Sequence, residues 1–312
     1  MKLTDAIEQY LTLRKATGCG ARAIAVVLHR FAKGIGPNRQ MQTITRKEVR
    51  AFLDRNKSSA AYWRCEHSAL RGFYGFAFGR GLAPNVPLPN TLPRLGQRFR
   101  PYVYTDTEVE RLVRATDDIA TDQCLLEPPT FRTLIWLLYG AGLRVSEALN
   151  LALADVDLAE NLLIIRQTKF YKARMVPIGP ALARIVVEYA RSYGARFGSS
   201  PARHFLVSKR GLRLTHLCVN NAFVRLRRTA GISRIDGARY QPRLHDLRHA
   251  FAVKRLTTWY QQGADVQALL PLLSTYLGHA NVVSTQVYLT MTPDLLVQAS
   301  SRFERYVGGQ LS

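Results

Sequence analysis

Tyr288 stands nine residues after His279, in the segment Ser284-Thr285-Gln286-Val287-Tyr288-Leu289, which follows the glycine turn Leu277-Gly278-His279. A tyrosine hydroxyl has a pKa of about 10 and is a poor nucleophile at neutral pH. It becomes useful where neighbouring cations favour the developing phenolate and neutralise an anionic substrate. Two arginines upstream are of the type required. Arg144 follows a second glycine turn in Gly142-Leu143-Arg144-Val145-Ser146-Glu147-Ala148-Leu149, and Arg248 lies three residues after His245 in His245-Asp246-Leu247-Arg248-His249. A guanidinium presents a planar fork that matches two non-bridging phosphate oxygens, whereas lysine offers a point charge. His245, near a helix N-terminus, and His279 could bond the same oxygens as charge builds on a transferring phosphorus. Singly, each residue has a plainer reading: Arg144 pairs with Glu147, His245 caps its helix, and Tyr288 packs. His249 reads as packing or as a donor behind the site, and Asp246 as a first-turn acid that complements the helix dipole. In this order and spacing, the set points to transfer of a phosphoryl group.

Periodicity supplies the elements that must carry these side chains. The first 80 or so residues read as four helices. Thr4 would cap the first, ending at Gly18, and Ala21 to Ala32 forms the second, stopped by Gly34. The capping box Thr45-x-x-Glu48 opens the third, and Ser59 starts the fourth, which ends at Gly79. Residues 83–101 hold Pro84, Pro87, Pro89, Pro93 and Pro101 with Arg94, Arg98 and Arg100, a composition that suits neither helix nor central strand. The division expected is a helical domain over 1–90, a basic proline-rich linker over 91–101, and a larger domain over 102–312, opened by the capping box Thr105-x-x-Glu108. Within it, Phe131 to Tyr139 reads as a buried helix stopped at Gly140-Ala141-Gly142, with Arg144 at the start of a short helix. Asn161 to Arg166 and Arg174 to Ile178 alternate as two strands of an antiparallel unit, joined by the lysine-bearing turn from Gln167 to Ala173. Pro180 to Tyr193, Thr215 to Ala230 and His245 to Gln261 read as helices, and Ser284 would cap a last one that puts Thr285 and Tyr288 on one face. Beyond Tyr288, Thr292-Pro293-Asp294 is a helix start, and an apolar stripe from Leu295 to Val307 must be buried on its own domain or on a neighbouring protomer.

Charge narrows the partner. The chain of 312 residues carries 44 basic and 22 acidic residues, a formal net charge of +22. The first 100 residues hold 18 basic and 5 acidic residues, so both parts of the chain are basic, as suits a protein that grips a polyanion from two sides. Cys19, Cys65, Cys124 and Cys218 form no Cys-x-x-Cys pair and indicate neither a zinc site nor a disulfide framework. The polar start is no signal peptide, and the apolar run from Leu134 to Leu143 is too short to span a bilayer. The expectation is a cytoplasmic protein without cofactor or membrane partner.

Arginine, then His-x-x-Arg, then Leu-Gly-His and a tyrosine, in that order, resembles the tyrosine recombinase (phage integrase) family over nearly the whole chain. Position by position, Arg144 matches the first family arginine, His245 and Arg248 the His-x-Leu-Arg-His box, His279 the Leu-Gly-His box and Tyr288 the nucleophile. Lys169 matches the lysine of a β-hairpin, within Lys-x-x-Lys-x-Arg-x-Val-Pro from Lys169 to Pro177, and competes with Lys172 for the role of general acid. The resemblance implies a mainly α protein with a small antiparallel β-sheet in the catalytic domain, joined to a helical core-binding domain as a two-domain DNA clamp. It implies a site-specific recombinase that joins tyrosine to a 3′-phosphate and frees a 5′-hydroxyl, with neither metal nor ATP; no acidic cluster looks like a two-metal site. The implied partners are double-stranded DNA with specific recombination sites, a homo-oligomer on that DNA (a dimer per site, a tetramer in synapsis) and accessory recombinases, in a nucleoid-associated setting. The roles implied are integration, transposition or resolution. Two features depart from the pattern: the segment from Ala268 to Tyr276 looks about one turn longer than in Xer-type resolvases, closer to recombinases borne on transposable elements, and Ala250 stands where Ser or Thr is common. The rival readings are a type IB topoisomerase, a catalytically silent DNA-binding regulator of the same fold, and a metal-dependent nuclease or transposase.

Overall fold

The computed structural model of the chain describes residues 1–18, 22–55, 59–95, 101–119, 125–166, 173–198, 200–238, 240–290, 297 and 300. Lys169, Lys172 and the expected helix beyond Thr292 fall outside these residues. The chain divides into two compact units, Met1–Phe99 and most of the residues from Arg100 onward.

The first unit is built from α1 (Leu3–Ala16), α2 (Arg22–Ile35), α3 (Arg46–Asp54) and α4 (Ala60–Gly79). Their apolar stripes meet in a core that includes Leu3, Ile7, Leu28, Phe31, Leu53 and Phe73. The Thr45–Glu48 capping box forms in both directions, and Ser59 accepts the Tyr62 amide at the head of α4. Thr4, however, is no cap. The helix starts at Leu3, whose amide donates to the Arg39 carbonyl, while the Thr4 hydroxyl donates to the Pro37 carbonyl. A strand-like segment distant in sequence thus satisfies the amides that a local cap would have taken. α2 also runs past the expected stop to Ile35, with Gly34 close against the Phe52 ring. Ala83 and Leu88 are buried in this same core, and a ring nitrogen of His67 bonds the Pro89 carbonyl at 3.1 Å, so the first proline-rich residues pack on the helices.

The second unit is mainly helical with one small sheet. Its helices are α5 (Asp106–Arg114), α6 (Pro128–Gly140), α7 (Val145–Asn150), α8 (Pro180–Phe197), α9 (His216–Thr229), α10 (Asp246–Gln261), α11 (Val266–Leu277) and α12 (Val283–Gln286), the last followed by a 3-10 turn over Val287–Thr290. Helix α6 is apolar on nearly all sides, with Leu134, Ile135, Leu137 and Leu138 fully buried, and packs against α5, α7, α8 and α10. Each such leucine contributes roughly 2 kcal/mol on burial, which makes α6 the axle of the unit. The sheet has three antiparallel strands in the order β1 (Val156–Asp157), β2 (Leu162–Ile165) and β3 (Arg174–Pro177). Leu163 pairs with Val176, and Leu163, Ile165 and Val176 face the core. The two-residue β1 has too little alternation to be read from sequence. Helix α8 continues beyond Tyr193 to Phe197 because the aromatic stripe continues, Tyr193 stacking on Tyr189 with centroids 4.5 Å apart and meeting Phe197 at 5.6 Å. A satellite core between α10 and α11 gathers Phe251, Val253, Leu256, Leu270 and Leu277, and Tyr288 closes it. Among the described residues no helix is long and apolar enough to cross a membrane.

Candidate active site

The site begins where α6 ends. Gly142 adopts φ +61°, and a Cβ there would lie 2.5 Å from the Phe251 ring and 3.0 Å from Leu277. Only glycine lets the chain turn this close to α10 and α11. The turn delivers Arg144 to the head of α7, where its amide donates to Glu147 Oε2 at 2.9 Å and its guanidinium to Glu147 Oε1 at 2.6 Å. The pairing of Arg144 with Glu147 is therefore present, and it leaves another guanidinium nitrogen to donate to the Gly278 carbonyl at 2.7 Å.

Arg248, on α10, makes the reciprocal connection. It is 1% exposed and donates to the Gly142 carbonyl at 2.7 Å and the Leu277 carbonyl at 2.6 Å. Each arginine thus grips the turn that carries another motif, so the three sequence boxes are tied into one site by side chain-to-backbone bonds. Arg174 on β3 adds a third guanidinium, bonding both Glu147 oxygens at 3.0 and 2.8 Å and the Tyr276 carbonyl at 2.9 Å. Burial works to raise the Glu147 carboxyl, but Arg174 and then Arg144 outweigh it and hold its pKa at about 2. One carboxylate therefore serves three guanidinium groups, Arg248 lying 3.7 Å from it. Burial, then repulsion from Arg144, lowers the Arg248 pKa to about 10, which still leaves it cationic at neutral pH. A partly desolvated surplus of positive charge favours an anion beside it.

Tyr288 borders that surplus. Its side chain is 3% exposed, its ring lies nearly parallel to that of His279 with centroids 6.1 Å apart, and its hydroxyl lies 3.0 Å from Nδ1 of His249. Burial raises the phenol pKa, while the charges of Arg248 and Arg144 act against the rise. Gly278, at φ +67° as the C-cap of α11, turns the chain so that His279 follows at once. A ring nitrogen of His279, Nδ1, lies 2.7 Å from the Thr285 hydroxyl, one turn before Tyr288, which fixes the ring and leaves Nε2 for another partner. His245 occupies the N-cap position of α10 without a side-chain cap bond, and its ring meets that of His249 edge-on at 4.9 Å. Burial, then the charge of Arg248, lowers the pKa of both His245 and His279 to about 4, so both rings are neutral at pH 7.

The structure brings Arg144, Arg248, His245, His279 and Tyr288 into one site; Lys169 lies outside the described residues. Ser284 does not cap α12: its amide and hydroxyl both donate to the Asn281 side-chain oxygen, at 3.1 and 3.0 Å, because Asn281 sits three residues earlier where a cap is needed. Asp246 does more than complement a dipole, since its buried carboxylate accepts the Arg243 amide and guanidinium, each at 2.8 Å. Arg174 was not expected in the site, and His249, expected as packing or as a donor behind the site, lies against the Tyr288 hydroxyl itself. Arg174 gave no local signal, because its partners are brought to it by the fold. His249 did, lying one helical turn after His245 on the same face of α10. A groove of about 810 Å³ elsewhere in the unit, lined by Trp136, Leu182, Ile185 and Phe251 among others, does not include Tyr288 or the arginines that face it.

The profile of the phage integrase family matches residues 103–294. The protein y4rB of Sinorhizobium fredii, named for the integrase/recombinase class, is 34% identical over 307 residues, covering 96% of each chain. Tyrosine recombinase XerA of Thermococcus kodakarensis is 35% identical over 255 residues, covering 81% of this chain and 78% of its own. Among solved structures, lambda integrase, as a tetramer bound to a Holliday junction, superimposes with a TM-score of 0.63 at 18% identity, over 92% of this chain and 77% of that one.

Proposed function

The chain belongs to the phage integrase family, and from that premise we propose that it is a site-specific tyrosine recombinase whose nucleophile is Tyr288. The Tyr288 oxygen attacks a scissile phosphorus in double-stranded DNA, the bond from phosphorus to the 5′ oxygen breaks, and a 3′-phosphotyrosyl link keeps the bond energy. Arg144 and Arg248 hold the non-bridging oxygens with their planar forks. His245 and His279 bond the same oxygens as charge builds on them. Lys169 is the proposed acid for the leaving 5′ oxygen. A 5′-hydroxyl from another strand reverses the step, so neither ATP nor metal is required.

The observation that carries this reading is the placement of Tyr288 beside Arg248 and Arg144, whose guanidinium groups bond the backbone of the turns at Gly142, Leu277 and Gly278. Attraction to DNA follows from the net charge of +22. In this reading residues 1–90 form the core-binding domain, 91–101 the basic linker and 102–312 the catalytic domain. The assembly proposed is a dimer on each site and a tetramer in synapsis, as the lambda integrase tetramer on its Holliday junction suggests. Its cellular setting would be the nucleoid in the cytoplasm, in transposition, integration or resolution. The deciding experiment uses nicked DNA that traps the covalent intermediate. Tyr288→Phe should bind its site as the parent does and form no adduct; adduct at the parent level would remove Tyr288 as the nucleophile.

A further inference from the structure

The attack by Tyr288 requires that its phenolic proton go somewhere, and the family signature does not say where. We propose that His249 is a further catalytic residue of this reaction, aligning the Tyr288 hydroxyl and taking its proton as the oxygen bonds to phosphorus. This rests on the reading of Tyr288 as the nucleophile.

The geometry selects His249 from the groups around the phenol. Its Nδ1 is 3.0 Å from the Tyr288 oxygen, at hydrogen-bond distance. Arg248 and Arg144 carry charge toward the phenol but have no acceptor lone pair. Glu147 is committed to Arg144 and Arg174. In His279, Nδ1 is engaged by the Thr285 hydroxyl and Nε2 is the nitrogen proposed for the phosphate oxygens, while the ring lies nearly parallel to the tyrosine ring, centroids 6.1 Å apart. His245 meets the ring of His249 edge-on, with centroids 4.9 Å apart, and is assigned in this reading to the phosphate oxygens. The direction of the bond follows from the state of each group. Burial keeps the phenol protonated, so it donates. Burial first, then the neighbouring His245, Arg243, Arg248 and His279, holds the His249 imidazole neutral, with a pKa of about 3; in the tautomer with its ring proton on Nε2, the lone pair lies on Nδ1 and accepts from the phenol.

Burial is the first cause of that low basicity, and the neighbouring cations add to it. A phosphodiester seated on the arginines brings negative charge beside His249 and offsets the charges that depress it. In the cleavage step, the Tyr288 oxygen forms its bond to phosphorus and its proton passes to Nδ1 of His249. The bond from phosphorus to the 5′ oxygen breaks, and that oxygen is protonated by the general acid, for which Lys169 is proposed. In rejoining, the proton returns from His249 to the departing Tyr288 oxygen. Both directions balance with no outside reactant.

Two DNA substrates test this. The first is the nicked trap, which reports attack by Tyr288. The second carries a 3′-para-nitrophenyl phosphate, which a 5′-hydroxyl displaces directly; nitrophenolate leaves without help and the tyrosine takes no part. His249→Ala should bind the site normally, form adduct roughly 10²-fold more slowly, and join the nitrophenyl substrate within about threefold of the parent rate. His249→Asn, whose side-chain oxygen can still align the hydroxyl but is a poor base, should fall between alanine and the parent. Adduct formation by His249→Ala near the parent rate would overturn the proposal. So would equal loss on both substrates, since His249 would then support the phosphate clamp rather than the nucleophile. If Tyr288→Phe itself forms adduct, the parent reading fails; if only the His249 variants behave as the parent, this inference alone fails.

Discussion

Each unit of the molecule has a glutamate, buried in one and largely buried in the other, that holds arginines, and the two clusters differ in what they leave over. In the helical unit, Glu66, 1% exposed, is gripped bidentately by Arg55 at 2.6 and 3.0 Å and approached by Arg30 at 3.4 Å. The Arg55 guanidinium lies 3.7 Å over the Phe52 ring, and Arg30 also bonds the Tyr62 hydroxyl. Those donors are spent locally, and Arg30 stays near water, so the cluster pins α2, α3 and α4 together. In the second unit, Glu147 faces Arg144, Arg174 and Arg248, and the last is almost fully buried. Its donors reach the turns on which His279 and the start of α7 depend. An arrangement of three cations on one acid is costly as pure structure, because removing charge from water is repaid only by a partner. In the proposed reaction a phosphate would supply that partner. The stoichiometry of charge around the carboxylate therefore separates a fastener from a binding site.

The widest separation between the clusters should come from replacing arginine by lysine, which keeps the charge and removes the fork. Arg144→Lys and Arg248→Lys should each slow adduct formation on the nicked trap by roughly 10²–10³. Arg55→Lys in the helical unit should leave the single-turnover rate on saturating DNA as it is. Near-parent cleavage by either active-site variant would put that arginine with Arg55 as a fastener.

Substituting the two acids sharpens the contrast. Glu147→Gln leaves three guanidinium groups with no counter-charge and frees Arg144 and Arg174. Breaking a buried pair in this way costs about 3–5 kcal/mol, and cleavage should fall roughly tenfold or more as the clamp loosens. Glu66→Gln should lower the melting temperature while the rate of DNA-bound protein stays unchanged. A rate loss with Glu66→Gln equal to that with Glu147→Gln would erase the distinction.

Much of this arrangement was legible because it is local. The capping boxes at Thr45 and Thr105, the stop at Gly140-Ala141-Gly142 and the start of α10 all form where sequence spacing places them. What escaped was set by partners distant along the chain. Thr4 lost its capping role because the Pro37 and Arg39 carbonyls arrive from another segment. Arg174 reaches Glu147 across 27 residues and Tyr276 across 102, so nothing in its neighbourhood announces either bond. His249 was visible on the correct face of α10, yet its contact with Tyr288, 39 residues later, depends on how α11 turns the chain back.

Titration gives a third, smaller contrast. The folded-state pKa values of His245, His249 and His279 are about 4, 3 and 4, below the ordinary 6.5. Depressed histidines contribute stability that is complete above the unfolded value of about 6.5 and is lost as pH falls toward the folded values. Glu147, at about 2, acts in the same direction only below its ordinary 4.5. In the helical unit, Glu48 is lowered by its bonds from the Thr45 amide and hydroxyl, so its contribution begins to fall only below 4.5. Between about pH 6.5 and pH 5, hydrogen-exchange protection, corrected for intrinsic rate, should drop along α10 and hold along α3. Equal loss in both helices would show that the neutral histidines do not govern stability in this range.

The smallest contrast comes from one substitution made twice. Thr45 and Thr285 both use a side-chain oxygen in a short-range bond, Thr45 to the Glu48 amide at 3.3 Å and Thr285 to Nδ1 of His279 at 2.7 Å. Valine keeps the shape of threonine and removes that bond. At Thr45 the loss is a helix cap, expected to cost about 1 kcal/mol of stability with no effect on cleavage by DNA-bound protein. At Thr285 the backbone of α12 is capped elsewhere, by Asn281, so the helix itself has little to lose. What goes is the constraint on the His279 ring, which then samples orientations that miss the phosphate. A net hydrogen bond of about 1 kcal/mol corresponds to a rate loss of several-fold to tenfold, read on the nicked trap at unchanged DNA affinity. Thr285→Val with parent-like cleavage and a lowered melting temperature would mean that Thr285 serves packing, as Thr45 serves its helix, and that His279 is oriented by its turn alone.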